Sequence, residues 1–412
     1  MPSALHALIE RIRAAGADAT PLRIRGGGTK DFYGEASEGE PLDTRPLAGI
    51  TSYEPSELVV TVRAGTPLAE LEAVLDERGQ CLPFEPPRFG AGGAGGNDGA
   101  GGTVGGMVAA GLAGPARASV GSVRDYVLGT QIVNGRGELL SFGGTVMKNV
   151  AGYDLSRVLA GSLGVLGLIT EVSLKVLPLA PAEATLRFAC SQADALRLLN
   201  GWGGQPLPLN ASRWSEEAGG TLWLRLRGAA AAVDAACGHL GGERVDPSIA
   251  ERDWQACRDQ RLLWFAARDD ACLWRLSVPQ TAPALAIDPA VASAPLIEWH
   301  GAQRWVFAPA EAAQGLREAA HAVGGHATLF IAPRADGVGV AGTFPSRFDA
   351  VSAPLATIHR ALKREFDPAG IFNRGRLYPE QRRPPPGRPE AGRAPSSGGG
   401  EAHEVASREA GS

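Results

Sequence analysis

The chain has 412 residues and a formal net charge of −4 at pH 7, and no block of basic residues precedes its C-terminal tail. This length indicates two domains plus a tail, and the charge pattern argues against a nucleic-acid partner. Five scattered cysteines, no leader segment and no uncharged run of about 20 residues predict a cytoplasmic protein without disulfides or a membrane span.

The first predicted elements lead into a glycine loop. Residues 4–15 carry leucine and isoleucine at the i, i+3, i+4 and i+7 positions of an amphipathic helix that ends at Gly16. A short strand from Leu22 to Arg25 then runs into Gly26-Gly27-Gly28-Thr29-Lys30, where several main-chain N–H groups can point at one anion. The loop suits a pyrophosphate, and a plain glycine turn is the alternative interpretation.

A β-α-β alternation follows this loop. Leu58 to Ala64 is a β-branched run, and Thr66-Pro67 predicts the N-cap and first position of a helix that ends at Gly79. Gln80 to Phe84 returns as a strand. The alternation predicts an α+β or α/β domain.

The stretch between Pro87 and Val104 is unusually rich in glycine. It contains a formal G-x-G-x-x-G at Gly90, Gly92 and Gly95. That motif binds a dinucleotide only between a strand and the start of a helix, whereas here more glycine follows and two prolines precede. We interpret the stretch as a flexible surface insertion.

The next segments complete the first domain. Tyr126 to Val133 and Glu138 to Phe142 are predicted to form a hairpin around an Asn-Gly-Arg-Gly turn. Asp154 is predicted to cap a helix through Leu159, and Leu166 to Leu177 reads as one long strand. Two prolines that follow indicate a domain boundary.

The remaining chain changes character. From Ala184 to about Ala332 strand and helix patterns predict a second α+β domain, whose eight tryptophans suit a core or an interface better than a ligand site. A helix from about Ser352 to Phe366 follows, and the chain beyond Pro379 has the composition of a disordered tail. The predicted domains are therefore residues 1–180, 181–379 and 380–412.

Seven segments of the chain resemble, in order and spacing, the FAD-binding fold of the vanillyl-alcohol oxidase and cresol methylhydroxylase (PCMH) type. They are most similar to the family of FAD-binding subunits of bacterial glycolate oxidase. The segments are Arg25 to Lys30, Val62 to Pro87, Thr103 to Pro115, Gly121 to Gly129, Lys148 to Arg157, Gly161 to Val172 and Phe366 to Arg376. The resemblance implies an α+β fold, with a two-subdomain PCMH-type FAD-binding domain followed by an α+β cap domain like that of FAD-linked oxidases.

The resemblance also implies which residues bind FAD. The glycine loop would hold the pyrophosphate, and small residues elsewhere would admit the planar ring. The implied FAD-binding residues are Arg25, Gly26, Gly27, Gly28, Thr29, Lys30, Pro86, Thr103, Gly105, Gly106, Ser122, Arg124, Asp125, Gly161, Ser162, Gly164, Gly167, Ile169 and Thr170. Two alternatives stay open: Arg124 and Asp125 form an internal ion pair, and Tyr153 is a core residue. FAD is expected to be non-covalent, because covalent members attach it through a His where this chain has Thr29.

One expected feature of the family is missing. Relatives that oxidise 2-hydroxy acids use a His-rich, acidic cluster in the cap to bind a metal and the substrate carboxylate. Here only Gly324 to Thr328 remains of that region, and His321 and His326 are five residues apart. We therefore expect no metal site, and His326 is the remaining candidate for a catalytic base.

The resemblance implies a subunit of a glycolate oxidase (dehydrogenase) complex that oxidises glycolate to glyoxylate through flavin. Its expected partners are a larger flavin-containing catalytic subunit and an iron–sulfur subunit, and the complex could bind peripherally at the inner membrane. We expect the partner interface on the cap, where eight tryptophans suggest exposed aromatic surface. The alternatives are a self-sufficient FAD-dependent 2-hydroxy-acid dehydrogenase, with arginines for the carboxylate and His326 as base, and an assembly subunit without flavin.

Overall fold

The computed structural model describes residues 3–89, 101–144, 154–266, 271–332 and 344–378. Residues 90–100 of the predicted insertion, Tyr153 and the predicted tail lie outside the described residues. Residues Met1–Pro379 form one compact unit. All five cysteines are free thiols.

The described residues contain helices and strands in both halves of the chain. The α-helices are α1 Ser3–Asp18, α2 Leu68–Asp76, α3 Val104–Ala110, α4 Arg117–Val120, α5 Val123–Tyr126, α6 Gln192–Gly203, α7 Ala230–Leu240, α8 Pro247–Arg258, α9 Ala313–His321 and α10 Ala353–Phe366. The strands are β1 Leu22–Arg25, β2 Glu40–Asp43, β3 Ile50–Glu54, β4 Val59–Arg63, β5 Gln80–Cys81, β6 Val127–Val133, β7 Leu139–Gly143, β8 Leu168–Lys175, β9 Leu177–Pro178, β10 Ala182–Ala189, β11 Leu209–Ser215, β12 Thr221–Gly228, β13 Glu243–Arg244, β14 Cys272–Ser277, β15 Leu296–Glu298, β16 Gln303–Ala308 and β17 His326–Ile331.

The first large sheet has five antiparallel strands in the order β3-β4-β8-β6-β7. Its central strand β8 is buried at six of its eight positions, although Thr, Glu, Ser and Lys make up half of its sequence. Leucines of α2 and apolar residues of α3 pack on this sheet in one hydrophobic core. Each fully buried leucine contributes about 2 kcal/mol to this packing.

A second apolar cluster fixes the start of the glycine loop. The buried stripe of α1 packs with Leu22 of β1, Leu42 of β2 and the pair Ile371 and Phe372 from the C-terminal end of the described chain. β1 and β2 are parallel, and Phe372 forms a bridge with Leu22 on β1. Residues near both ends of the described chain therefore hold the strand that leads into the loop.

Several predicted element boundaries differ from those in the structure. The Thr66 hydroxyl accepts a hydrogen bond from the Gly49 N–H at 2.9 Å and caps no helix, so α2 begins at Leu68. The predicted helix after Asp154 is a short 3-10 turn, Ser156–Leu159. Asp154 still lies just before its start, where its carboxylate accepts hydrogen bonds from the Ser156 hydroxyl at 2.6 Å and the Arg157 N–H at 3.3 Å.

Predicted strand lengths also differ from the structure. The strand predicted from Gln80 to Phe84 stops at Cys81, and Phe84 instead inserts its ring into the core of the first sheet. The strand predicted from Leu166 to Leu177 is divided, because β9 leaves the sheet to pair with β5. The hairpin of β6 and β7 forms as predicted.

The second large sheet has eight antiparallel strands in the order β13-β10-β12-β11-β15-β16-β14-β17. Seven of the eight tryptophans are less than a tenth exposed, and Trp264 is half-buried. The core interpretation is confirmed for these seven. The expectation of exposed aromatic surface is wrong, since the indole rings pack within the protein.

An ion-pair cluster joins the two large sheets at Glu85. The Glu85 carboxylate pairs with Arg225 at 2.6 Å and with Arg227 at 3.3 Å, and it accepts the Ala116 N–H at 3.1 Å. Burial alone would raise the pKa of Glu85, but the two guanidinium groups lower it below its usual value. The segment that leads into Pro86 is therefore held by charges from the second sheet.

Candidate functional site

The glycine loop, residues Gly26 to Lys30, is shaped by two of its glycines. Gly28 has a φ of +71°, and a Cβ atom there would lie 2.2 Å from the Arg25 guanidinium. A Cβ atom at Gly26 would lie 2.3 Å from the Thr103 hydroxyl oxygen. Position 28 favours glycine because of its positive φ, and a side chain at position 26 would displace Thr103.

The main-chain donors of the loop remain available. Within the part of the chain that the structure describes, no residue accepts a hydrogen bond from the N–H groups of Gly26, Gly27, Gly28, Thr29 or Lys30. Successive N–H groups without an internal partner are suited to an anion. The loop is therefore compatible with a pyrophosphate group.

The start of α3 lies against this loop. The main-chain N–H groups at the start of α3 donate hydrogen bonds to other protein groups. The Thr103 hydroxyl caps α3 by accepting the Gly106 N–H at 3.3 Å. The Gly105 N–H donates to the Ala64 carbonyl at 2.8 Å, and a Cβ atom at Gly105 would lie 2.6 Å from the Ala64 Cβ. These three residues have structural roles, and their contact with flavin stays a prediction.

The turn from Gly161 to Gly164 lies along the C-terminal end of α3. The Gly161 N–H donates to the Val108 carbonyl at 3.0 Å, and the Leu163 N–H donates to the Ala109 carbonyl at 2.8 Å. Ser162 is buried within the turn, and its hydroxyl accepts the Gly164 N–H at 3.4 Å. The structure thus brings the glycine loop, α3 and this turn together as neighbours.

The rest of this predicted wall is built into the first sheet. A Cβ atom at Gly167 would lie 2.9 Å from the Val133 carbonyl oxygen of β6. Ile169 is part of the hydrophobic core, and the Thr170 hydroxyl donates to the Gln131 carbonyl at 3.1 Å. The side chains of Ile169 and Thr170 therefore serve the fold.

The segment with Ser122, Arg124 and Asp125 forms a capping box. The Asp125 carboxylate accepts the Ser122 N–H at 2.7 Å and the Ser122 hydroxyl at 3.0 Å, which caps the single turn of α5. Arg124 is exposed and forms no ion pair with Asp125 in the described structure. The alternative of an Arg124–Asp125 ion pair is therefore wrong.

Pro86 is buried beside Glu85, next to two cavities of about 440 and 400 Å³. Both cavities are lined by Glu85, Arg227 and Arg258, and neither lining contains any of the implied FAD-binding residues. None of the residues of the glycine loop, α3 or the Gly161 to Gly164 turn therefore lines either cavity.

Sequence reasoning missed Asn373, which bridges two parts of the candidate site. Its amide oxygen accepts the Ile24 N–H at 2.8 Å, and its amide nitrogen donates to the Leu163 carbonyl at 2.6 Å. The residue is 3% exposed and has a φ of +38°. Asn373 therefore connects the strand before the glycine loop with the Gly161 to Gly164 turn.

Arg376 is a second missed residue. Its guanidinium donates to the carbonyl oxygens of Lys30 at 3.1 Å and Tyr33 at 3.0 Å, which fixes the end of the glycine loop. Asn373 and Arg376 lie in the segment from Phe366 to Arg376. The resemblance of this segment to the family was the only sequence feature that pointed to them. That resemblance assigned no role to either side chain.

His326 begins β17 and faces Ser277 on β14. Partial burial lowers the pKa of His326, and the nearby positive charge of Arg275 lowers it further. His321 lies apart from it at the end of α9 and contacts the Asp349 carboxylate at 3.0 Å. No group of three or more His, Cys, Asp or Glu side chains able to hold a metal occurs among the described residues.

Arg275, which lies near His326, and Arg117, which lies near Arg275, both contact aromatic residues. Arg275 donates to the Tyr33 hydroxyl at 3.1 Å, and Arg117 lies over the Trp299 ring at 4.6 Å. Burial lowers the pKa of Arg117, and the charge of Arg275 lowers it further. Of the carboxylates in the described ranges, none forms an ion pair with either guanidinium.

Comparisons with known proteins agree with this architecture. Residues 1–143 match the FAD binding domain family. Glycolate oxidase subunit GlcE of Escherichia coli K12 is 46% identical over 375 residues, which are 91% of this chain and 97% of that protein. The chain belongs to the glycolate oxidase subunit GlcE family. The family assignment confirms the resemblance seen in the sequence.

Further similarities to known proteins have lower sequence identity. Glycolate oxidase subunit GlcD of Bacillus subtilis 168 is 30% identical over 177 residues, which are 42% of this chain and 36% of that protein. A solved structure of alkyldihydroxyacetonephosphate synthase has a TM-score of 0.60 at 14% identity and covers 89% of this chain and 74% of its own. This structural likeness and the match to the FAD binding domain family together confirm the PCMH-type α+β fold. Among the described residues, no helix has the length and apolar character required to cross a bilayer.

Proposed function

We infer that this chain is the FAD-binding subunit of a glycolate oxidase (dehydrogenase) complex and contributes to the oxidation of glycolate to glyoxylate. The observation that carries the proposal is the glycine loop, with five successive N–H groups that lack a partner among the described residues. Bound FAD would supply the hydride-accepting chemistry for a 2-hydroxy acid. The name of the E. coli relative supports the choice of glycolate.

The residues of this chain would bind and orient FAD. The loop N–H groups would donate to the pyrophosphate, while Asn373 and Arg376 hold the loop at a fixed distance from the Gly161 to Gly164 turn. This arrangement supplies anion recognition and preorganisation. It leaves the chemistry of hydride transfer to the cofactor.

FAD binding at the loop is tested by the variant Gly28→Ala. A methyl group at position 28 would collide with Arg25 and strain the positive φ, so purified Gly28→Ala should lose the flavin absorbance. Gly201→Ala on α6 is the matched control, because a Cβ atom there meets no neighbour within 4 Å. Full flavin content in Gly28→Ala would contradict the assignment of the loop.

We further propose that FAD is bound non-covalently. Thr29 stands where covalent relatives have the attaching His, and the five free cysteines lie outside the glycine loop, α3 and the Gly161 to Gly164 turn. Acid precipitation should release the yellow colour into the supernatant. Colour that stays in the pellet would refute this proposal.

The proposed partners are a larger flavin-containing catalytic subunit and an iron–sulfur subunit. Support comes from the word subunit in the names of the E. coli and B. subtilis relatives. The buried tryptophans no longer indicate where such partners bind. A tagged chain expressed with both candidate subunits should purify with them, and elution of the chain alone would count against the complex.

The proposed organisation is an FAD-binding domain at residues 1–180, a cap domain at 181–379 and a tail at 380–412. The strands of the first large sheet end with β8 at Lys175, and those of the second begin with β10 at Ala182. This change of sheet supports a boundary near residue 180. Limited proteolysis that yields fragments divided near this position would support it further.

A second candidate function is a self-sufficient 2-hydroxy-acid dehydrogenase. It is favoured by Arg275, which has no carboxylate partner among the described residues and lies close enough to His326 to lower its pKa. Arg275 could bind a substrate carboxylate while His326 accepts the hydroxyl proton. We still expect poor turnover by the chain alone, since no carboxylate among the described residues forms a hydrogen bond or ion pair with His326. Rapid mixing of the flavin-loaded chain with glycolate decides this, because fast bleaching that Arg275→Met abolishes would establish the second candidate.

A further inference from the structure

Lys30, the last residue of the glycine loop, has an unusual environment for a lysine. Its ammonium lies 3.4 Å from the Thr29 hydroxyl and 5.6 Å from the centre of the Phe89 ring. A Cβ atom at Gly102 would lie 3.3 Å from it, so the chain before α3 packs against it. Among the described carboxylates, none is within ion-pair distance of this ammonium. Lys30 is thus held between apolar and weakly polar groups.

The acidic groups around Lys30 are already paired with arginines. Glu72 on α2 pairs with Arg88 at 2.6 Å, and Asp31 beside the loop pairs with Arg25 at 2.7 Å. Asp259, after α8, pairs with Arg258 at 2.7 Å and Arg261 at 3.1 Å and also accepts the Arg88 N–H at 2.9 Å. Arg376 approaches from the C-terminal segment and binds the Lys30 carbonyl. These contacts leave the positive charge of Lys30 without a direct counter-charge in the described structure.

The ammonium belongs to the same short loop as the N–H groups that lack partners. Burial lowers the pKa of Lys30 from 10.5 to about 8, and the more distant charges of Asp259 and Glu72 offset only part of this effect. Near pH 8 the side chain is therefore charged in only part of the molecules. A dianion at the loop would restore the full charge, because an adjacent negative charge stabilises the ammonium.

We propose that Lys30 is the counter-charge of the FAD pyrophosphate and takes up a proton when FAD binds. The proposal rests on the proposed function, in that the glycine loop binds FAD. Since the complex then holds more protons than the free protein, FAD affinity is constant well below pH 8 and falls as pH rises above it. The dissociation constant should rise about tenfold per pH unit until the pH reaches the pKa of Lys30 in the complex.

The test uses the full chain after removal of bound FAD. The dissociation constant for FAD is measured from flavin fluorescence between about pH 6.5 and about pH 9.5 for the natural chain, Lys30→Arg and Lys30→Met. For the natural chain, the dissociation constant should rise with pH above about pH 8 as described. Lys30→Arg should bind FAD with little slope, because a guanidinium does not titrate in this range. Lys30→Met should bind more weakly at pH 7 and without the slope.

Calorimetry in two buffers of different ionisation enthalpy measures the proton directly. At about pH 8.5 the natural chain should take up more than half a proton per FAD, and both variants should take up clearly less. Tight FAD binding with no slope and no proton uptake would overturn the role of Lys30 alone. An equal slope in Lys30→Met would also overturn it. Absence of FAD binding by the natural chain at every pH would instead overturn the proposed function.

Discussion

Replacing Asn373 with aspartate tests the bridge between the glycine loop and the Gly161 to Gly164 turn. Aspartate keeps the oxygen that accepts the Ile24 N–H but replaces the nitrogen that donates to the Leu163 carbonyl. Two oxygens would then face each other at a position that is 3% exposed. The backbone conformation is preserved, because aspartate tolerates a positive φ nearly as well as asparagine.

The expected loss of stability follows from these contacts. Leaving a buried carbonyl without its donor costs about 1–3 kcal/mol, and a buried carboxylate adds to this value. Burial should raise the folded-state pKa of the introduced carboxyl above its unfolded value. The protonated form can donate again, so the variant should be closest to the natural chain in acid and lose stability as pH rises through that folded-state pKa.

Urea unfolding at several pH values measures this effect, and the FAD dissociation constant measures its consequence for the site. Asn210→Asp is a matched control, since Asn210 is also buried but its side-chain oxygen accepts from Arg225 at 2.6 Å. A carboxylate beside that guanidinium should cost much less. Unchanged urea midpoints and FAD affinity in Asn373→Asp would refute the bridging role.

Three further outcomes are expected. Without FAD, Lys30→Met should be more stable than the natural chain by up to about 3 kcal/mol at pH 7, since the lowered pKa of the lysine penalises its charged form. Urea unfolding should show that this difference in stability shrinks between pH 8 and 10.5. Glu85→Gln should lose about 3–5 kcal/mol by leaving Arg225 buried without its carboxylate, and equal stability would contradict the pairing. Because the pKa of Glu85 is lowered in the fold, its contribution should be present at neutral pH and disappear as pH falls below 4.5. A chain that ends at Pro379 should keep its solubility and flavin content, because the composition of residues 380–412 offers little apolar area to bury.

The sequence by itself determined the features that depend on near neighbours in the chain. The spacing of apolar residues predicted α1, whose stripe is buried, and the hairpin of β6 and β7 followed from its turn residues. The glycine loop was also readable, since consecutive glycines signal a backbone that comes close to other groups. The order of seven segments along the chain was enough to indicate the family.

Residue type was less informative where a polar side chain could bind either a near or a distant group. Thr66 has the residue type of an N-cap, but its hydroxyl instead accepts the Gly49 N–H, 17 residues away. Asp125 was a candidate ligand residue, although its carboxylate closes a capping box with Ser122. In both cases a polar side chain has several possible partners, and the sequence does not rank them.

Only the tertiary structure decided what holds the candidate site together. Asn373 contacts Ile24 and Leu163, which are 349 and 210 residues away in the chain. The pKa of Lys30 is lowered by burial, and the acids that offset part of this effect come from α2 and from the segment after α8. Burial and long-range contacts arise from packing of the whole unit, and neither periodicity nor residue type specifies them.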